Sequence, residues 1–415
     1  MKETDANTAS AMALSRRAAL AATAGMALLG GTRLARAQGA APVKIGVLTD
    51  ASGTNAGLAG VGSEIAAKMA VEDFGGSVLG RPIVIQNGDH QSKADIGMTL
   101  ARQWYDDGVG AIFDVGITTV AIGVQQLARE KNRIVVYNST GTVDMTGKYC
   151  SPNGIHWTYD SYSIAVGAAR ANMAGGLKSW YFMTVDYAYG RSLQAEATKY
   201  IEAHGGTVLG SAPHPIETKD FSSDLLKAQA SGAQLIGLAT PTPLIANIVK
   251  QAAEFGLLKG PQKLAPIGLF INDVQAIGPA LTQGLLVTEP FYWNQTDQTR
   301  AFSERFIKLY GKMPNSLQAS VYGAVMHYLR AVKAVDTDAT QAVLKAMKET
   351  PVNDFMTHDG HIRADGRLLR DMYVFRIKTP GESKGTWDLY QQIATIPADE
   401  AFKPADPAVC NLVKA

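Results

Sequence analysis

Val43-Lys44-Ile45-Gly46-Val47-Leu48-Thr49 runs into Asp50-Ala51-Ser52-Gly53-Thr54 and then into Gly60–Phe74. The first stretch is a short apolar, β-rich run, the second a polar turn. The third places Ile65, Met69 and Phe74 at helical intervals. This strand–loop–helix unit recurs: Ile83–Gln86 reads as a strand before a helix at Ala94–Tyr105, and Ala111–Val115 as a strand before Val120–Glu130. Ile134–Tyr137 is a further strand. The same rhythm resumes at Trp180–Val185, Ser192–His204, Leu225–Ala230, Leu235–Ala239, Ile245–Phe255 and Leu264–Phe270. Such alternation predicts an α/β protein whose parallel sheets are flanked by helices. Its strand-end loops gather at the carboxyl edges of the sheets, where ligands bind.

A faint internal echo runs through the pattern. The stretch from Gly108 to Glu130 can be laid without gaps on Gly232 to Glu254, with Thr118 on Thr242 and Ala128 on Ala252. Shared strand–helix physics accounts for that much, but each half presents a hydroxyl-bearing loop at a strand end. Towards the C-terminus, Ala319–Val335 reads as a strong helix. His361–Lys378 reads as a hairpin turning at Ala364-Asp365-Gly366-Arg367, because Asp-Gly tolerates positive φ. The tail carrying Pro397, Pro404 and Pro407 reads as irregular.

Ser15-Arg16-Arg17 opens an apolar stretch that ends near Gly31, and Ala35-Arg36-Ala37 follows shortly after. Paired arginines, a small-residue apolar segment and an A-x-A site predict a twin-arginine export signal over residues 1–37, with a mature chain from near Gln38. An anchor helix is the alternative, but Ala18–Gly31 is too short and too rich in Ala and Gly to span a bilayer. The chain that remains exceeds what one core usually holds, so two lobes are expected. With 39 Lys+Arg against 37 Asp+Glu and no basic stripe, nothing points to nucleic acid. In an oxidising compartment Cys150 and Cys410 would pair and tie the tail to the body; two unrelated buried thiols are the alternative. The seven histidines, His90 among them, show no metal-ligand spacing, and no metal or cofactor is expected.

Neither G-x-S-x-G nor G-x-x-x-x-G-K-[ST] occurs. Gly60-Val61-Gly62 is a poor dinucleotide fingerprint, since Ile65 stands at the third glycine position and the turn comes too late after Thr49. What the strand ends carry is Ser, Thr and Gly: Asp50–Thr54, Gly116-Ile117-Thr118-Thr119 and Asn138-Ser139-Thr140-Gly141-Thr142. Hydroxyls and free N–H groups at helix starts can hold a carboxylate without a cationic side chain. Singly, Thr118, Thr119 and Thr142 would serve as helix caps. Three such loops on one sheet edge point instead to a small anionic ligand. The second half adds aromatics: Trp157-Thr158-Tyr159-Asp160, Asp186-Tyr187-Ala188-Tyr189-Gly190, Phe270 and Phe291-Tyr292-Trp293. Tyr187 and Tyr189, in a polar loop, read as walls for an apolar or planar ligand rather than as core.

The chain resembles the periplasmic solute-binding proteins of ABC importers, of the Leu/Ile/Val-binding type. The marks are Lys44-Ile45-Gly46-Val47 leading to Ser52-Gly53, Ala70-Val71-Glu72-Asp73, Asp186-Tyr187-Ala188-Tyr189-Gly190, Asp220-Phe221-Ser222-Ser223 and Gly284-Leu285-Leu286-Val287-Thr288. The resemblance implies the two-lobed type I fold with three hinge crossovers, near Tyr159–Asp160, Pro290–Phe291 and Leu368–Arg370. Lobe one would comprise 43–159 with 292–368, lobe two 160–290 with 369–398, and 399–415 a tail. It places the ligand site on Gly116–Thr119, Ser139 and Thr140, with Ser52 and Gly53 nearby, Tyr189 and Tyr187 opposite, and Thr240 in the second-lobe loop. The acidic residue that receives an amino acid's ammonium falls on Phe270. A buried ammonium without a partner costs several kcal/mol. Either Asp160 or Asp273 substitutes, or the ligand is a carboxylate without an amine, such as an aromatic or 2-oxo acid of the kind some family members bind.

The function this implies is that of a monomeric, non-enzymatic periplasmic receptor. It would close on a small carboxylate and deliver it to an ABC permease in the inner membrane. A ligand-sensing partner of a membrane kinase would use the same fold. An exported enzyme in the same cleft would need a nucleophile–base pair, for which Asp160 beside Tyr159 is the nearest candidate.

Overall fold

The computed structural model describes residues 41–414, so the export signal expected over 1–37 lies outside the described residues. Six strands form the first sheet: β1 (Val43–Thr49), β2 (Ser77–Val78), β3 (Arg81–Asp89), β4 (Val109–Asp114), β5 (Ile134–Tyr137) and β6 (Gly154–His156). Their order is β2-β3-β1-β4-β5-β6, all parallel except the β2 edge. The second sheet holds β7 (Ser179–Val185), β8 (Thr207–His214), β9 (Leu235–Ala239) and β10 (Lys263–Pro266), in the parallel order β10-β9-β7-β8.

Both sheets are covered on both faces, and the period-2 alternation of strands decides which side chain goes where. Ile45, Val47, Ala111, Phe113 and Val136 enter one core with the helices Gly60–Phe74 and Ser316–Ala334. Leu48, Ile112, Val135 and Tyr137 enter the opposite core with Ala94–Asp106 and Thr118–Glu130. In the second sheet, Tyr181, Met183 and Val185 face one core, while Trp180 and Phe182 face the other.

A third, antiparallel sheet orders β11 (Leu286–Glu289) beside β14 (Met372–Ile377) and β15 (Tyr390–Ile396). This corrects the hairpin expected over His361–Lys378. Only β12 (His361–Ile362) and β13 (Leu368–Leu369) pair across the Asp-Gly turn, whereas Met372–Ile377 leaves for the third sheet. The turn itself docks on β6: Gly366 has φ +91°, and a Cβ there would lie 2.3 Å from the Gly154 carbonyl oxygen, so only glycine fits. That docking carries Arg367, fully buried, to Asp160 (3.6 Å), the Tyr159 carbonyl (3.3 Å) and the Phe402 ring (4.2 Å). Cys150 and Cys410 form the expected disulfide, with Cα atoms 5.8 Å apart.

Candidate functional site

The loop after β4 sets the geometry of the first sheet's carboxyl edge. Asp114, Val115 and Ile117 all have positive φ (77°, 47° and 52°), a cost of roughly 1–3 kcal/mol each for residues with a Cβ. Neighbouring strand ends hold it there. Val115 N–H donates to the Leu48 carbonyl (3.0 Å) and Asp114 N–H to the Asn138 Oδ1 (3.1 Å). Thr140 Oγ1 donates to the Val115 carbonyl (2.5 Å), and Ser139 Oγ donates to the Asp114 carboxylate. Asp114 is buried, which raises its pKa; the Ser139 bond opposes that rise.

Ser139 and Thr140, expected as ligand groups, are therefore braces. The loop they hold opens the helix Thr118–Glu130, which has no side-chain cap. Its first-turn N–H groups have no helical acceptor, and the helix dipole adds a positive end there. Thr118 is half-buried and Thr119 exposed, and neither hydroxyl caps the helix. Of the three threonines that could have been caps, only Thr142 is one, accepting from Asp144 N–H. The loop after β1 folds around its own acids: Gly53 and Asn55 N–H donate to Asp50, and exposed Ser52 donates to Asp89 (2.5 Å). Ser52 and Gly53 thus shape the loop that presents Asn55 to Gly116, where an added Cβ would sit 3.7 Å from Asn55 Nδ2.

The second sheet's carboxyl edge meets the first at Tyr189. A Cβ on Gly141 would lie 2.9 Å from Tyr189 Cε2 and 3.1 Å from the Tyr159 hydroxyl. On the other side, a Cβ on Gly268 (φ +91°) would lie 3.0 Å from the Tyr189 hydroxyl. Tyr189 is thus wedged between one glycine from each sheet and stacks on Tyr187 (centroids 6.2 Å). Burial pushes both phenols' pKa values up, so both stay neutral donors. Gly190 seats the loop: a side chain there would strike the Val185 carbonyl at 2.3 Å.

The remaining expected residues are engaged elsewhere. Thr240 Oγ1 pairs with His214 Nε2 (3.1 Å) inside the second sheet's edge, and both are buried. Phe270 packs edge-on to Tyr159 (5.6 Å) and is 2% exposed, a core residue. Asp160 caps the helix Ser161–Ala174 by accepting Ser163 N–H (2.8 Å) and faces Arg367 with its other oxygen. Asp273 accepts Phe270 N–H (3.2 Å), and burial pushes it up to about 7. Both substitutes for a missing ammonium partner are therefore already committed.

Sequence reasoning did not single out His90 or Gly268, and it quoted Gly141 only as part of the loop Asn138–Thr142. The signal for His90 was its place directly after a strand.

Two sheets whose carboxyl-edge loops meet across a tyrosine, with an antiparallel third sheet behind them, define the type I periplasmic binding-protein fold. The model of the family described as periplasmic binding protein matches residues 42–386, and this chain belongs to that family. It is 41% identical to a periplasmic binding protein from Burkholderia mallei, over 87% of this chain and 96% of that one, with a TM-score of 0.83. A branched-chain amino acid ABC transporter periplasmic ligand-binding protein from Burkholderia xenovorans LB400 is also 41% identical, over 87% and 97%, with a TM-score of 0.82. Leu/Ile/Val-binding protein homolog 1 of Brucella suis biovar 1 (strain 1330) is 26% identical over 74% of this chain and 83% of its own. The family implies a periplasmic location.

Proposed function

We propose that this protein is the extracytoplasmic receptor of an ABC importer, and that it takes a small carboxylate without an amine, such as an aromatic or 2-oxo acid. The observation that carries the reading is the uncapped helix Thr118–Glu130 behind its braced left-handed loop, since unpaired N–H groups at a helix start bind anions. The apolar body of the ligand would lie against Tyr187 and Tyr189. Phe270 in place of an acid, with Asp160 and Asp273 engaged, supports the exclusion of an ammonium group.

The mechanism is closure of two lobes, 43–159 with 292–368 and 160–290 with 369–398, the tail 399–415 being held by the disulfide. The separate cores on either sheet and the strand connections near Asp160 and Glu289 support that division. A shift from 1:99 to 99:1 closed requires about 5.5 kcal/mol of differential binding, and a micromolar ligand offers about 8. The receptor works as a monomer without cofactor or chemistry of its own, reaches the periplasm by the twin-arginine route, and hands its ligand to an inner-membrane permease. The names of its relatives support the transporter setting.

Thermal denaturation of the mature chain with benzoate, phenylpyruvate, 4-methyl-2-oxopentanoate, L-phenylalanine and L-leucine tests this. Saturation a hundredfold above Kd adds about 2.7 kcal/mol. Stabilisation by the amine-free acids is expected; a preference for leucine refutes the amine argument.

A further inference from the structure

His90 follows β3 and is fully buried. Its Nδ1 accepts the Ser92 backbone N–H at 3.1 Å, which puts the ring proton on Nε2. That Nε2 has no hydrogen-bond partner among the described residues. A buried donor without an acceptor is costly, and native structures rarely keep one for packing alone. It is aimed at Gly116, in the loop that opens the uncapped helix. An added Cβ at Gly116 would lie 3.6 Å from His90 Nε2 and 3.7 Å from Asn55 Nδ2. Two N–H donors, one with its tautomer fixed by the backbone, therefore stand on the side of Gly116 that carries no side chain.

We propose that His90 is a ligand-contacting residue: its Nε2–H donates to an oxygen of the bound carboxylate seated beside Gly116, and selects an acceptor over a donor at that position. This rests on the reading of the sheet edge as the carboxylate site. None of the surrounding acids accepts the proton. Asp50 takes Gly53 and Asn55 N–H and the Ser92 hydroxyl, Asp89 takes Ala51 and Gln91 N–H and the Ser52 hydroxyl, and Asp114 takes Ser139 on one oxygen, while its other oxygen has no partner among the described residues and does not bond His90. The ring stays neutral, because burial outweighs the pull of those three carboxylates and because protonating Nδ1 would break the Ser92 bond.

The test compares wild type, His90→Ala and His90→Gln by calorimetric titration with benzoate and phenylpyruvate, alongside thermal denaturation without ligand. His90→Ala is expected to weaken binding roughly 10- to 100-fold, read as affinity of the folded protein; the unliganded melting temperature also falls, because the Ser92 N–H loses its acceptor and a cavity opens. His90→Gln, which restores an N–H donor, should recover most of that loss. In protein with 15N-labelled histidine, titration should shift the His90 Nε2–H resonance downfield and leave Nδ1 in its acceptor range. If wild type binds these acids and His90→Ala binds them equally well, this assignment fails alone. If wild type binds neither, the assignment fails together with the functional reading. A fall in melting temperature without a change in affinity marks a structural histidine and overturns the assignment.

Discussion

Replacing Gly141 by alanine separates closure from folding. The added methyl would sit 2.9 Å from Tyr189 Cε2, about 0.6 Å inside the 3.5 Å at which carbon atoms reach contact. The ring is bounded by Gly268, where a Cβ would lie 3.0 Å from its hydroxyl, and by the Tyr187 ring, with centroids 6.2 Å apart. The methyl cannot turn away, since the Tyr159 hydroxyl stands 3.1 Å off. Gly141 has no positive φ, so alanine imposes no backbone strain of its own. Overpacking of this kind costs about 1–3 kcal/mol. On the proposed lobe division, Gly141 and Tyr189 lie in different lobes, so opening relieves the Tyr189 clash, while the contact with Tyr159 in Gly141's own lobe persists in both states. Apparent affinity should fall by that energy, about 5- to 150-fold at 1.4 kcal/mol per decade. Calorimetry on the tightest-binding acid of the panel measures the loss, and small-angle scattering should show a smaller ligand-induced contraction. The unliganded melting temperature should fall only by what the Tyr159 contact costs, less than the loss read in affinity. Wild-type affinity in Gly141→Ala would mean that the Tyr189 seat is not part of the closed complex.

Reducing the Cys150–Cys410 disulfide, which spans 260 residues of sequence, should destabilise the protein by about 2–5 kcal/mol, read as a lower denaturation midpoint with reductant; an unchanged midpoint refutes it. Glu289 is buried between the Ser316 and Tyr390 hydroxyls and pushed up to about 8, so the folded protein holds a proton there that the unfolded chain releases near 4.5. Its contribution to stability is therefore full below about pH 4.5 and falls as pH rises towards 8, at up to about 1.4 kcal/mol per unit. Glu289→Gln should flatten that slope in denaturant titrations between about pH 5 and 8; an unchanged slope refutes it. Asp160→Asn should lower the melting temperature by removing the carboxylate that caps a helix and faces buried Arg367, a loss of about 3–5 kcal/mol, with ligand affinity per folded molecule unchanged. A selective loss of affinity would return Asp160 to the site.

The alternation of apolar runs was enough to read the two parallel sheets, and β1, β5 and β9 match their expected limits residue for residue. β8 and β15 escaped because neither is an apolar run. β8 is an edge strand with alternating exposure, Gly210 and Pro213, and most of β15's side chains are exposed. The Asp365-Gly366 turn was legible as a turn, but the partner of the strand after it was not. Local sequence carries turn chemistry, whereas sheet membership depends on which distant strand offers a free edge. The same limit applies to the site. That hydroxyls cluster at strand ends was visible; that Ser139 and Thr140 commit theirs to the loop before Thr118 was not.

That distinction bears on what the site recognises. Had the hydroxyls faced the ligand, they could have served as donors or acceptors and admitted an amine as readily as a carboxylate. Because their protons go to Asp114 and to the Val115 carbonyl, Ser139 and Thr140 do not donate to a ligand, and donation from this loop falls to its backbone N–H groups. The left-handed turn at Asp114, Val115 and Ile117 is what exposes them, and its strain is the reason that the ends of β1 and β5 must both brace it. The braces and the fixed His90 tautomer then act in one direction. On the proposed reading, a ligand carboxylate would meet the free N–H groups of the helix start and one further donor from His90.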